Sequence, residues 1–341
     1  MTEQNTTDPR MPATDYASFA QYLQTSRRIC ALLGAGVSAS SGLPTFRGAG
    51  GYWRSYDATL IATPGAFRAD PGLVWQFYSY RRHMAMNAKP NRAHLALVEL
   101  ARRNPDFITF SQNVDGLSPR AGHPPNQLVL LHGNLFDVKC WDEEGCGYHV
   151  ENDFTDPIVP ALALPRDDQG QATDSQLKAS IVARHSGSAL LEAAMKKKHA
   201  LINGVDISDV NVPIPTVKHE DLPQCPSCKK NLLRPGVVWF GENLPETAVD
   251  AVDAFFNPED KVDLMLVIGT SSKVYPAAGY ALKARKLGAR VAVINMDPAD
   301  ATVLTDKDWF FEGDAAVIVP EILKSVIGEI GEFDETKSAS Q

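Results

Sequence analysis

No apolar run in the 341 residues approaches the roughly 20 needed to cross a bilayer as a helix, so no membrane span is expected. Basic charge is short as well: 33 Lys and Arg stand against 41 Asp and Glu, a net charge of −8. A domain that holds nucleic acid through its phosphates is normally basic, so direct nucleic-acid binding is not expected either. The first fifteen residues have no apolar core and carry Glu3, Asp8 and Asp15, which argues against a signal peptide. Arg10 is their single arginine and no amphipathic pattern runs through them, so they do not read as a mitochondrial transit peptide. The expected location is intracellular, with mitochondrial, cytoplasmic and nuclear sites left open. Internal repeats are missing. What is there is 44% hydrophobic and 22% charged, the composition of a globular chain rather than a disordered or fibrous one. The length suits two average domains, or one large α/β domain carrying an insert.

Five runs read as short buried strands: 28–33, 107–111, 127–131, 263–268 and 290–294. Their near-continuous apolar character fits a parallel sheet covered on both faces. Helical patterns lie between them, notably 92–103 and 276–287, with Gly288 as a C-terminal stop. This alternation predicts an α/β fold, a Rossmann-like doubly wound parallel sheet. From about Val138 to Pro235 the sheet signals vanish. Residues 165–220 read as an added excursion with one helical stretch near 176–200, whose Lys196-Lys197-Lys198 run fits a solvated helix end better than a localisation signal. The expected organisation is a disordered N-terminus over 1–15 and a sheet domain over 16–137 and 236–330. A smaller domain over 138–235 and a disordered tail over 331–341 complete it.

The five cysteines say more by spacing than by number. Cys30, in Arg28-Ile29-Cys30-Ala31-Leu32-Leu33, reads as a small buried hydrophobe. The other four form two close pairs, Cys140/Cys146 and Cys225/Cys228.

After the first strand comes Gly34-Ala35-Gly36-Val37-Ser38-Ala39, a G-x-G-x-x-A turn. Such glycines let a backbone approach a pyrophosphate, although alone the pattern also fits a simple tight turn. A dehydrogenase would add an acidic residue at a strand end about 20 positions on. Asp57 has that spacing but follows no strand, and reads as a decoy. A Gly-rich loop over 42–51, with Phe46 and Arg47 embedded, has the make-up of a cover that folds over a ligand. Two late strands end in polar clusters, Gly269-Thr270-Ser271-Ser272 and Asn295-Met296-Asp297, where open α/β sheets bind ligands. Ser111-Gln112-Asn113-Val114-Asp115 packs amides and a carboxylate at a third strand end, and His132 stands at a fourth. An imidazole near its usual pKa of about 6.5 suits a general base at cellular pH.

These segments (GAGVSASSGLPTFRG, SQNVDGL, LHGNLF, two cysteine pairs, VVWFGENLP, GTSSKVYPA and the Asn295 strand end) occur in the order seen in sirtuins. The chain resembles that family of NAD-dependent protein-lysine deacylases over about residues 20–330, apart from most of 165–220. The resemblance implies that Gly34, Ala35, Gly36 and Ser38 hold the NAD phosphates, with Phe46 and Arg47 in the cofactor loop. It implies that Gln112, Asn113 and Asp115 line the ribose and nicotinamide pocket. Gly269, Thr270, Ser271, Asn295, Asp297 and Ala315 would face the rest of NAD. His132 matches the catalytic histidine, with Asn113 beside it in the chemistry. Val238, Trp239, Phe240, Gly241 and Glu242 match the segment that pairs as a strand with the substrate backbone. The implied reaction begins with attack of the acyl oxygen on the nicotinamide ribose as nicotinamide leaves. His132 then takes a ribose hydroxyl proton, and the products are free lysine, nicotinamide and O-acyl-ADP-ribose. NAD is thus a consumed co-substrate.

The cysteine pairs match the family's structural zinc site, a closed tetrahedral thiolate shell, which makes the smaller domain zinc-binding. Cys140 and Cys146 are separated by five residues where the family commonly has two. Tyr78 and Arg81, at helical i and i+3, resemble the Tyr-x-x-Arg pair with which class III sirtuins hold the acid end of succinyl-, malonyl- or glutaryl-lysine. Ala62 matches the small residue that leaves that pocket roomy. The expected partners are acylated lysines of proteins, with acetyl-lysine a weak substrate. Protein ADP-ribosyl transfer on the same NAD pocket is the leading alternative, and a mainly deacetylating enzyme the other. Rossmann redox chemistry and a non-catalytic zinc module stand further back.

Overall fold

The computed structural model describes residues 12–45, 52–164, 207–211, 214–271 and 273–334. Phe46, Arg47, the helical stretch near 176–200 with its lysine run, and most of both expected disordered ends lie outside them. Two compact units form. The first takes residues up to Ser41, Lys89–His132 and Leu244 onward; the second takes Gly42–Ala88 and Gly133–Asn243. Residues 42–88 thus join the smaller unit rather than the sheet domain to which the strand pattern assigns them.

The first unit is built on a six-stranded sheet in the order Trp309–Glu312, Arg290–Asn295, Leu264–Ile268, Ile29–Leu33, Ile108–Ser111, Leu128–Leu130. Every pairing is parallel. In chain order this is the 3-2-1-4-5-6 arrangement of a doubly wound sheet, with the switch point between Ile29–Leu33 and Leu264–Ile268. Ile29–Leu33 is buried on both faces. Its odd residues Ile29, Ala31 and Leu33 pack with helices Tyr16–Thr25, Arg92–Arg103 and Ala315–Ile327. Cys30 and Leu32 pack with Glu246–Phe255 and Tyr280–Lys286 on the other side, so Cys30 is the buried hydrophobe its context predicts. All five expected strands are present. Trp309–Glu312, a sixth, escapes the sequence pattern because WFFE is short and ends in a charge.

Helix Arg92–Arg103 spans the predicted range. Asn91 caps it in a capping box with His94, and Arg102 and Arg103 favour the negative end of its dipole. The 276–287 pattern resolves into a 3-10 turn, Ala277–Gly279, and helix Tyr280–Lys286, stopped by Gly288 at φ 94°. Ala13 and Asp15 are ordered, contrary to the expected disordered N-terminus. Ala13 exchanges backbone hydrogen bonds with Asp308 and Phe310, and Asp15 caps Tyr16–Thr25.

The second unit corrects the expectation that sheet signals end near Val138. Strands His149–Val150, Gly133–Cys140 and Leu233–Val237 form an antiparallel sheet in that order. Pro235 and Gly236 hide the last strand from a sequence pattern, and proline is tolerated there because the strand lies at the sheet edge. Among the described residues of this unit, helices Ala58–Ile61, Pro64–Ala69 and Pro71–Asn87 come before the sheet in the chain. The last starts on an Asp70 cap with Pro71 in its first turn, and buries Trp75, Phe77 and Tyr78.

Candidate active site

In the first unit, four polar strand ends meet at the switch point. Gly34 N donates to Ile268 O and Gly36 N to Gly269 O, both at 2.9 Å, closing the turn over the neighbouring strand end. A Cβ on Gly36 would stand 2.7 Å from Gly269 Cα, and one on Gly269, at φ 62°, 2.4 Å from Val37 N. The glycines are therefore required by backbone contact. The segment after them, Ala35–Ser41, is a 3-10 helix. Asn91 Nδ2 donates to Val37 O and Ser41 Oγ, pinning that helix from outside; its spacing gave no hint of this.

Ser38 is buried, and its hydroxyl donates to Asp115 Oδ2 at 2.7 Å. Asp115 Oδ1 accepts from Leu117 N, so the carboxylate is held at both oxygens. Asn113 Nδ2 donates to Gly34 O at 3.0 Å and reaches Ser38 Oγ at 3.3 Å. Thr270 Oγ1 donates to Gln112 Oε1, and Asn295 Nδ2 to Thr270 O. The sites expected from Gly34, Ala35, Gly36, Ser38, Gln112, Asn113, Asp115, Gly269, Thr270, Ser271 and Asn295 thus belong to one end of one sheet. Asp297 is different. It is exposed and caps the 3-10 helix Pro298–Val303 through Ala299 N. Ala315 is buried at the start of helix Ala315–Ile327.

His132 ends the middle segment of this unit, Lys89–His132, and is half-buried. Its Nδ1 lies 3.0 Å from Gln112 O. A carbonyl only accepts, so Nδ1 carries the proton and Nε2 keeps its lone pair. Burial pushes the imidazole below its usual pKa, against a smaller opposing pull from the Gln112 carbonyl, and keeps the ring neutral near pH 7. Asp57, expected to follow no strand, instead ends a two-residue strand, Tyr56–Asp57, paired antiparallel with Tyr52–Trp53. It lies in the second unit, outside the parallel sheet, and caps helix Ala58–Ile61.

The second unit carries the remaining predicted residues. Tyr78 is 4% exposed, and its hydroxyl accepts from Trp239 Nε1 at 3.0 Å. Burial pushes its phenol well above the usual pKa, outweighing the pull of the nearby Arg81 charge, so it stays protonated. Arg81 is half-buried, its guanidinium 5.5 Å from the centre of the Phe77 ring. Ala62 is buried, and its carbonyl accepts from Phe240 N at 2.9 Å, tying it to the 238–242 segment. Trp239 N donates to Glu242 Oε2 at 2.8 Å, so the N–H groups of Trp239 and Phe240 are both committed within the chain. Gly241 turns the segment at φ 91°, next to the exposed Phe240, and Val238 is half-buried.

Glu242 does not offer a carboxylate to substrate. It grips buried Arg234 with both oxygens, at 2.5 and 2.9 Å. Arg234 also reaches Glu143, in the long cysteine loop, at 3.1 Å, and stacks 3.5 Å from the Trp239 ring centre. Sequence reading missed Arg234 and Glu143. An arginine among the apolar residues Leu232, Leu233 and Val237 was the available signal.

The Sγ atoms of Cys140, Cys146, Cys225 and Cys228 lie within 4.8 Å of one another. The pairs Cys140–Cys228 and Cys146–Cys225 stand 3.8 and 3.7 Å apart, far beyond a disulfide. A tetrahedron of Zn–S bonds about 2.3 Å long has edges of about 3.8 Å. The donor set therefore fits one zinc ion, and the five-residue loop after Cys140 brings Cys146 into place.

The profile of the Sir2 family matches residues 34–276. The chain belongs to the Sir2 family. It is 44% identical over 320 residues to an NAD-dependent protein deacylase of Candida albicans, covering 92% of this chain and 98% of that protein. It is 36% identical over 317 residues to the NAD-dependent protein deacylase sirtuin-5, mitochondrial, of Canis lupus familiaris, covering 92% and 86%. Among solved structures it is similar to a Sir2 homologue in complex with NAD, at a TM-score of 0.64 and 30% identity, covering 92% and 94%. A Sir2 homologue mutant with 2′-O-acetyl ADP ribose matches at a TM-score of 0.64 and 32% identity, covering 91% and 94%. Among the described residues no helix is long and apolar enough to cross a membrane.

Proposed function

We propose that this protein is an NAD-dependent protein-lysine deacylase that prefers lysines carrying a short acidic acyl group. Family membership and the NAD-dependent relatives support the reaction class. The observation that carries the acyl preference is the pairing of Tyr78 and Arg81 on helix Pro71–Asn87, with Ala62 in the same unit. The buried phenol remains a hydrogen-bond donor at working pH, and a guanidinium beside it matches a carboxylate. Acetyl carries no carboxylate to match the guanidinium, so a neutral acyl group forgoes that charge-assisted contact.

NAD is the co-substrate. Gly34, Ala35, Gly36 and Ser38 bind its pyrophosphate, and Gln112, Asn113 and Asp115 hold the nicotinamide ribose. Gly269, Thr270, Ser271, Asn295, Asp297 and Ala315 bind the adenosine half. Phe46 and Arg47 are assigned to the covering loop. His132 Nε2, neutral and with its lone pair exposed to proton transfer, removes a ribose hydroxyl proton after nicotinamide departs. Val238, Gly241 and the carbonyl of Phe240 offer backbone to the peptide. The backbone of Trp239 and the N–H of Phe240, expected to do the same, are taken within the chain, and Glu242 holds that segment from behind. The zinc thiolate shell is closed and keeps the second unit folded without taking part in the chemistry. The partners are acylated lysine side chains of proteins, and the site of action is intracellular.

The test is deacylation of succinyl-, malonyl-, glutaryl- and acetyl-lysine peptides with NAD. Wild type should prefer acidic acyl groups. Arg81→Met should lower kcat/KM for succinyl-lysine by about 10- to 100-fold while narrowing the gap to acetyl-lysine, and His132→Tyr should abolish turnover. Faster removal of acetyl than succinyl by the wild type would refute the acyl preference.

A further inference from the structure

The Tyr78 hydroxyl has one proton and two acceptor sites. The indole N–H of Trp239 is a donor only, and it points at Tyr78 Oη from 3.0 Å. In that contact the hydroxyl must accept, so its single proton is directed elsewhere. Without Trp239 the proton could turn toward any nearby acceptor and would have to be reoriented on each binding event.

Trp239 is itself held on every side within the second unit. Its ring is 1% exposed, its backbone N–H is bound by Glu242, and the guanidinium of Arg234 lies on its face. Phe67 packs 5.3 Å away, centre to centre. Arg234, 2% exposed, is fixed in turn by Glu242 and by Glu143 of the cysteine loop. A donor this rigid is preorganised.

We propose that Trp239 is a specificity-positioning residue: its indole N–H occupies the acceptor side of Tyr78 and aims the phenolic proton at the carboxylate of an acidic acyl group. The inference rests on the acidic-acyl reading above. It also assigns the longer cysteine loop a task, since Glu143 helps hold the arginine that holds the indole.

The experiment is a double-mutant cycle in the full chain. Wild type, Trp239→Phe, Tyr78→Phe and the double variant are assayed with NAD on succinyl- and acetyl-lysine peptides, and the ratio of their kcat/KM values is compared. Trp239→Phe should lower the ratio about 5- to 10-fold, chiefly through KM for succinyl-lysine. Tyr78→Phe should lower it at least as far, and adding Trp239→Phe to Tyr78→Phe should change it no further. An equal loss on both peptides, or a second drop in the double variant, overturns the proposal. Trp239→benzothienylalanine, which swaps the N–H for sulfur at nearly constant shape, should lower the ratio equally and replaces Trp239→Phe if that variant folds poorly. A wild type without a succinyl preference would sink the acidic-acyl reading and this role with it. A succinyl-preferring wild type whose ratio survives Trp239→Phe would sink only the role of Trp239.

Discussion

In the proposed reaction His132 accepts a proton only while Nε2 keeps its lone pair. The Gln112 carbonyl chooses the tautomer, and burial lowers the pKa. The sign follows directly: turnover is full above the lowered pKa and falls as pH drops through it. The acid limb of kcat/KM is therefore expected below pH 6.5, the usual imidazole value. An acid limb centred at or above 7 in a pH–rate profile would contradict that placement. His132 was legible as a strand-end residue, but its tautomer was not, because the carbonyl that sets it comes from a different strand. Glu242 shows the opposite case. It was expected to meet substrate as part of the 238–242 segment, yet its carboxylate serves Arg234 and Trp239 N instead.

The glycine turn and its neighbour strand form one interlocked element. Gly34, Gly36 and Gly269 approach so closely that any Cβ meets backbone. Gly269→Ala adds a left-handed φ to that collision, and is expected to lower stability by at least about 2 kcal/mol. It should also remove detectable NAD binding by calorimetry. Normal binding with an unchanged melting temperature would show that the two turns can separate. The first glycines were readable from G-x-G-x-x-A, whereas Gly269 entered only as part of a polar strand end. Helices and buried parallel strands were legible because a helix repeats every 3.6 residues and a strand buried on both faces is continuously apolar. The antiparallel strands Gly133–Cys140 and Leu233–Val237 were not, since they mix charges, Pro235 and Gly236 into short runs.

At the scale of the molecule, one chain supplies two units, and the zinc thiolates belong to the second alone. Metal analysis should find one zinc per chain, and none after Cys225→Ser. Chelation should lower the melting temperature by more than about 5 °C and abolish peptide turnover. NAD binding by the first unit should outlast it. Full turnover by zinc-free protein would exclude a structural ion. The route from the thiolates to Trp239 is physical: the loop between Cys140 and Cys146 carries Glu143, which meets Arg234, and Arg234 lies on the indole face.

By itself the sequence determined the doubly wound sheet, the order of its strand-end motifs, the four thiolates and the Tyr78/Arg81 spacing. Each of these depends on residues close together in the chain, or on a periodicity that the backbone imposes. Tertiary structure alone decided that Gly36 leans on Gly269, that Asn91 pins the 3-10 helix, and that residues 42–88 fold with the cysteine unit. It also decided that Trp239 faces Tyr78, 161 residues away in the chain. Such contacts come from side chains whose local sequence specifies only burial, and burial states that a partner exists without naming it.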